Sequence, residues 1–523
     1  MVVKKKECGQ LLLPRDLGPK CLGDGWEVVL HRQGLQVLTF WDTFEWGLWY
    51  GGHLLYSCGE EYHLCARDGG WIGAELCREM ARGRRQFWGD FETPEIREKL
   101  EGMLGLRGLA IVVEGTFHRR QSELRNESGK IVCRLEWTSV SSAKRGEKEL
   151  LQYCRVIPLL GYESEAERVV EYLTTAGAST SGDGPLDVLL RHAGRMPQKY
   201  TLRPDFGLAW EMSARESVRR IACSILGIAA GNVPGILNDL DTEFLHDYRI
   251  CLRKIRSLLS LVKDIYPVEE IQRIRAIVGD LARQTNRLRD LDVYLLARDE
   301  YCGLLPPILR PSLEEMFKDF STERKGEVRR VTMKLRAPSW HNLFREIEEY
   351  FSQETPHESS PAANLPVGQL AFRRIFKRYQ KIREIAREIG AGAPDEAVHQ
   401  VRIECKKLRY LMEFFNELIP EEEGAAQLKL LRRLQNRLGE FNDASVQQNS
   451  LLNYWERHKT RGDAALGVGG LVSILYQRQQ RTRGLIDKEL DIFCSGSNAT
   501  CFKRIFKLPA SVPATATPRS DHQ

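Results

Sequence analysis

The chain has no C-x-x-C pair, although it holds thirteen cysteines. An odd number without paired spacing reads neither as a disulfide framework nor as a zinc ribbon. There is no uninterrupted apolar run near the roughly 18 residues that a membrane helix needs. The apolar stretch close to the start, Leu11–Leu13, is too short for a secretory signal. Secretion and a membrane span are therefore not expected, and the cytoplasm is the expected compartment. A large charge of one sign is missing as well: 77 Lys and Arg face 71 Asp and Glu, a net +6. Any anion site must come from clustering and not from the total. Zinc-finger, RRM and homeodomain signatures are absent, and so are aromatics interleaved with the basic residues. What is present is 42% hydrophobic and 28% charged sequence with a mean hydropathy of −0.37, the composition of a chain that builds cores. Its 523 residues predict roughly two to four domains.

Three stretches break the chain: Thr174–Pro185, rich in small residues; Ser352–Pro366, rich in Ser, Pro and Glu; and Leu508–Gln523, a tail expected to be disordered. Before the first break, Trp26–Leu30, Gln36–Phe40, Leu54–Cys58, Leu109–Val113 and Lys130–Trp137 read as strands between turns such as Asn126–Gly129. Helices are predicted around Thr93–Leu104 and Glu163–Leu173. From about Met212 to Phe493 apolar residues recur at helical spacing, with Gly and Pro confined to the gaps. The fold class is α+β: an N-terminal α+β domain over 1–173, a linker over 174–209, and an all-α domain over 210–493. His53, Cys58, His63 and Cys65 lie close together in sequence, but their spacing fits no metal motif. No metal ligand set and no cofactor is expected.

The helical half contains a repeat. HDYRICLRKIRSLLSLVKDIYP from His246 aligns with HQVRIECKKLRYLMEFFNELIP from His399, 153 positions later. The offset persists: Pro267 faces Pro420, Asp290 faces Asp443 and Val293 faces Val446. The copies span 210–351 and 367–493. At about 100° per residue, His246, Arg249, Arg253 and Arg256 share an arc of roughly 80°, with Lys254 at its edge. In the second copy His399, Arg402, Lys406 and Arg409 form the arc, with Lys407 beside it. Tyr248, Leu252, Ile255, Leu259 and Val262 lie opposite, as do Val401, Cys405, Leu408, Met412 and Phe415. Each basic face carries a single acid, Asp247 or Glu404, so pairing along the helix does not explain the cations. A solvated face remains one reading. The other is a surface for a linear phosphate chain, which needs point charges and guanidinium forks and no base pocket. On that reading each His donates to phosphate once the phosphate field has raised its pKa; alternatively it pins a neighbouring helix.

The duplicated H-x-x-R-x-x-x-[RK]-K-x-R, followed by RDLDV and FNDASV, resembles the CHAD domain (conserved histidine α-helical domain). The resemblance covers about 210–493. It implies two pseudosymmetric four-helix bundles and binding of inorganic polyphosphate through His246, Arg249, Arg253, Lys254, Arg256, His399, Arg402, Lys406, Lys407 and Arg409. Arg220 and Arg373, also 153 apart, are weaker candidates on the preceding helices. The implied partner is polyphosphate, with no specific nucleic acid and no membrane. The implied location is cytoplasmic, on polyphosphate granules. Oligomeric state stays open.

The N-terminal part is similar to the CYTH, or triphosphate tunnel, family: FWDTFEWGLWYGGHLL from Phe40, ESGKIVCRLEW from Glu127 and GYESEAERVVEYL from Gly161 carry the likeness. This implies an antiparallel β tunnel or barrel-like fold. The family's E-x-E-x-K and L-R-x-R motifs are missing. Only Lys4–Glu7 and Glu27 stand in the first region, so a degenerate, non-catalytic domain is expected. The competing reading is a metal-dependent triphosphatase using Glu114 and Glu136. A nucleic-acid adaptor is the third.

Overall fold

The structure is a computed structural model that describes residues 8–507 apart from 16, 19–21, 23–25, 69–70, 82, 144–147, 181, 263, 353–359, 390–393 and 458–461. Lys4–Glu7, the 508–523 tail and much of the 352–366 break lie outside the described residues. The chain divides into two compact units, Met1–Tyr200 and Thr201–Gln523.

The first unit is one sheet of eight strands: β1 (Cys8–Leu13), β2 (Trp26–Asp42), β3 (His53–Cys58), β4 (Glu61–Asp68), β5 (Trp71–Met80), β6 (Ala110–Asn126), β7 (Ile131–Ser142) and β8 (Leu151–Pro158). All pairs are antiparallel, in the order β1-β8-β7-β6-β2-β3-β4-β5. The two strands expected over 26–30 and 36–40 are one. β6 pairs along the whole of β2, through Gly34 and past an irregularity at Leu30/Arg32. The Asn126–Gly129 turn forms as expected, with Asn126 Oδ1 accepting from the Ser128 and Lys130 amides and Gly129 at φ 71°.

The closed tunnel or barrel does not form: among the described residues β1 and β5 are edges with no ladder between them. The outer edge of β1 is met by the backbone of Ser179, whose O accepts from Leu12 N (2.7 Å) and whose N donates to Leu12 O (2.9 Å). Trp71 of β5 meets Tyr153 of β8 edge-on at 5.1 Å. Beside them the helix Pro185–His192 buries Leu186, Leu189 and Leu190 against Phe117 and Val140. That helix lies in the stretch read as linker, and its apolar face belongs to this core. Helix Glu163–Thr175 covers the other end of the sheet with Ala166, Val169 and Leu173 on Leu124, Val132 and Leu135.

Asp42, within the segment similar to the CYTH family, is a structural group. Its carboxylate accepts from the amides of Thr43 (2.7 Å), Leu48 (2.9 Å) and Trp49 (2.9 Å), holding the start of helix Gly47–Tyr50. Burial pushes its pKa up to about 6 against the pull of those amides. Asp42→Ala leaves three amides unpaired and should cost about 2–4 kcal/mol in urea unfolding of the full chain.

In the second unit the repeat becomes a structural register. Helix Ala214–Leu237 is matched by Val367–Glu388, and Thr242–Leu261 by Asp395–Phe414; both pairs start 153 positions apart. Ala214–Leu237 is long and apolar enough to cross a membrane by composition. Here it buries Ile221, Ile225 and Leu226, and it packs on Thr242–Leu261. Beyond these pairs the copies diverge. Repeat one has three helices, Val268–Arg283, Asn286–Leu296 and Arg298–Leu304, where repeat two has one, Glu421–Arg457. Long helices follow in both, Arg310–Arg336 and Gly462–Cys494.

The copies meet as equivalents. Ala214 N donates to Leu365 O (2.9 Å) and Val367 N to Met212 O (2.8 Å), around the bridge Ser213–Pro366. Each bond is the other shifted by 153 residues. Tyr294 Oη donates to Gln447 O at 3.3 Å, again a pair 153 apart. These contacts define a pseudo-twofold axis. Gly368 sits beside the bridge, where a Cβ would run into the Trp210 indole. Gly368→Ala should cost about 1–3 kcal/mol in the same urea assay.

Candidate anion-binding surface

The helices Thr242–Leu261 and Asp395–Phe414 carry the duplicated signature. Asp241 caps the first, its Oδ1 accepting from Glu243 N at 2.9 Å and Phe244 N at 3.2 Å. All ten apolar positions expected to face inward are buried, from Tyr248 to Val262 and from Val401 to Phe415. Burying these stripes turns the opposite faces toward the pseudo-twofold junction.

At that junction Arg253 Nε donates to Tyr410 Oη at 2.7 Å, linking the repeats. Lys406, the equivalent of Arg253, is pushed down to about 8 by burial, then by Arg402 and Arg253, with Arg409 adding. Arg402 is lowered by burial and by Arg253. On the other side, burial, Arg253 and Arg289 lower Arg249, while Asp290 pulls the other way. Arg249, Arg253, Arg402 and Lys406 thus form one field drawn from both copies. Asp443, 3.5 Å from Arg402, is the acid beside it. Arg402 Nε is shut off from solvent with no hydrogen-bond partner, the condition in which a bound anion or water is expected.

The two signature arginines have different partners. Arg249 Nη1 donates to Ala282 O (2.9 Å), Thr285 Oγ1 (2.8 Å) and Asn286 Oδ1 (2.8 Å), tying together the helix break at 284–285. Repeat two is helical through the equivalent positions, so Arg402 has no such carbonyl to bind.

The histidines also differ. His399 Nδ1 bonds Asn442 Oδ1 at 3.0 Å, pinning the neighbouring helix beside a hollow that Phe441 and Leu438 help line. His246 is pushed down to about 4, first by burial and then by Arg289, with Arg253 and Arg249 adding and Asp247 opposing. It is neutral at pH 7 in the free protein and becomes a charged donor only if an anion first offsets those arginines.

Other expected residues do not join the field. Lys254 is buried and donates to Leu202 O at 2.6 Å. Lys407 Nζ is bound to Glu404 at 2.7 Å, and Arg378 shares that carboxylate. Arg256 is exposed, beside Gly279. Arg220 is held by Glu216 and Gly207 O, both at 2.8 Å. Arg373 is exposed on Val367–Glu388. Arg409 flanks the field through Lys406. Arg289 and Tyr410 were missed by the sequence reading. RDLDV contained Arg289, but a tyrosine at an unmatched repeat position, opposite Ser257, gave no signal.

In the first unit Glu114 is exposed and accepts from Thr39 Oγ1 at 3.0 Å, and Glu136 accepts from Gln121 Nε2 at 3.0 Å and faces Arg155 at 3.9 Å. His63 bonds Glu75 (2.9 Å) and stacks on Tyr56, apart from any joint site with His53, Cys58 and Cys65. Among the described residues of this unit no three His, Cys, Asp or Glu side chains lie close enough to share an ion.

Residues 221–452, a span that includes both histidine-bearing helices, match the family model of the CHAD domain. The helical unit contains a CHAD domain. An uncharacterized protein of Mycobacterium tuberculosis, found in two strains, is 25% identical over 246 residues; the match covers 45% of this chain and 44% of that protein, less than half its length. The crystal structure of the CHAD domain from the plant Ricinus communis is similar at 20% identity and a TM-score of 0.47, over 54% of this chain and 93% of that one. PptA from Streptomyces chartreusis is similar at 14% identity and a TM-score of 0.41, over 53% and 99%. In the free CHAD domain the His246 imidazole should titrate near 4 by NMR. A midpoint near the ordinary 6.5 would mean that its neighbours do not press on it.

Proposed function

We propose that the junction of the two basic helices binds inorganic polyphosphate. The observation that carries this reading is the meeting of Arg253, Arg402 and Lys406 at a pseudo-twofold axis, with Lys406 pushed down to about 8 and Arg402 Nε unpartnered. Like charges held together under burial gain most from a ligand that brings closely spaced negative charge. A phosphate chain does this with charge-assisted hydrogen bonds and needs no base-stacking aromatics. The CHAD family match supports the same ligand. A role on cytoplasmic polyphosphate granules follows from this reading. Among the described residues of the first unit no observation favours the triphosphatase alternative: Glu114 and Glu136 bond neighbouring polar groups and join no metal-holding set.

The test is titration with long-chain polyphosphate over a salt series, with duplex DNA as competitor. Tight binding that resists DNA is expected. Replacing Arg253, Arg402 and Lys406 by Ser should weaken it at least about tenfold and flatten its salt dependence. Binding should also weaken as pH rises above about 8. The free protein holds Lys406 low, a bound anion raises it, and binding therefore takes up a proton in that window. Unchanged affinity in the variant, or loss of binding to DNA competition, would overturn the proposal.

A further inference from the structure

Outside the residues matched by the family, the extended segment Thr201–Ala209 lies across both repeats. Lys254 of repeat one donates to Leu202 O at 2.6 Å. Glu417 of repeat two accepts from the amides of Phe206 (2.6 Å) and Leu208 (2.7 Å). This strap brings Arg203 to Glu413, 3.4 Å away, and Arg409 approaches the same carboxylate at 3.9 Å. Glu413 is only 7% exposed at its side chain. Arg432, on the long helix of repeat two, feels Arg203, Glu413 and Arg409. One carboxylate therefore serves four cations, Arg203, Lys254, Arg409 and Arg432. Arg432 Nε is closed off from solvent without a hydrogen-bond partner, while Arg409 Nε faces Glu413 Oε1 at 3.9 Å, beyond hydrogen-bond reach. Lys429 and Arg432 open onto a groove of about 540 Å³. Repeat one has no counterpart, since Ala276 and Gly279 stand where repeat two has Lys429 and Arg432.

We propose that Arg203, Arg409, Arg432 and Lys429 form a second anion subsite, present on repeat two alone, that holds the continuing run of a polyphosphate chain seated at the junction. It rests on the polyphosphate reading above and extends it to chain length. Arg402 and Arg409 are separated by about 10 Å of helix rise, and the step to the neighbouring helix adds about 8–10 Å. A triphosphate cannot span both places, whereas a long chain can.

The full-length protein is titrated with tripolyphosphate and with long-chain polyphosphate, alongside Arg203→Ser/Lys429→Ser/Arg432→Ser and Glu413→Gln. The triple variant should lose about tenfold in long-chain affinity and leave tripolyphosphate affinity unchanged. Glu413→Gln should raise long-chain affinity, which a purely structural carboxylate would not do. Long-chain affinity unchanged in both variants overturns the subsite, as does an equal loss for both ligands in the triple variant. Failure of the unmodified protein to bind long chains overturns the parent reading instead. Loss confined to the Arg253, Arg402 and Lys406 variant leaves that reading standing and removes only the subsite.

Discussion

A twofold axis sets each residue near it against its own copy, and a cation near such an axis must meet a cation. That constraint governs the helical unit. The reciprocal bonds Ala214–Leu365 and Val367–Met212 fix the axis, and the basic faces of the two signature helices are driven together by it. The apolar stripes behind them are fully buried, so core packing supplies the free energy that holds like charges close. Tyr410 is part of the accommodation, because a neutral hydroxyl accepts from Arg253 at a place where a carboxylate would cancel the field.

The two copies have since taken on different work. Repeat one breaks its third helix at 284–285, where Arg249 joins the Thr285 amide and hydroxyl in bonding the Ala282 carbonyl. Repeat two keeps one helix of 37 residues, and its Arg402 retains an unpartnered N–H. Lys254 and Lys407 occupy equivalent positions, yet one is bound under the strap and the other is paired with Glu404. An unchanged backbone register therefore carries unequal chemistry.

Much of this was legible in the sequence. The 153-residue offset placed both basic helices and all ten inward apolar positions, because a helix turns through a fixed angle per residue. The same wheel put Lys254 and Lys407 at the edge of the basic arc. It could not tell an edge facing a ligand from one facing a backbone carbonyl, a difference made by distant segments such as Leu202. Strands β4 and β5 were invisible because Glu61–Asp68 and Trp71–Met80 mix charged and apolar residues. The barrel implied by the resemblance does not close: the outer edge of β1 is bridged by Ser179 instead of β5, and Ser179 belongs to a stretch that reads as linker.

The Ser213–Pro366 bridge has the form of an interface between identical subunits, made within one chain. In a true homodimer every substitution is made twice, and the surface keeps its symmetry. Here the subunits are tied in tandem, so a change such as Gly279 against Arg432 is made once. A scaffold whose leading helix pairs are symmetric can then carry a gradient of charge from one copy to the other. A linear polyanion lying across it would meet two unlike halves, and would be held more firmly on the side of the second copy.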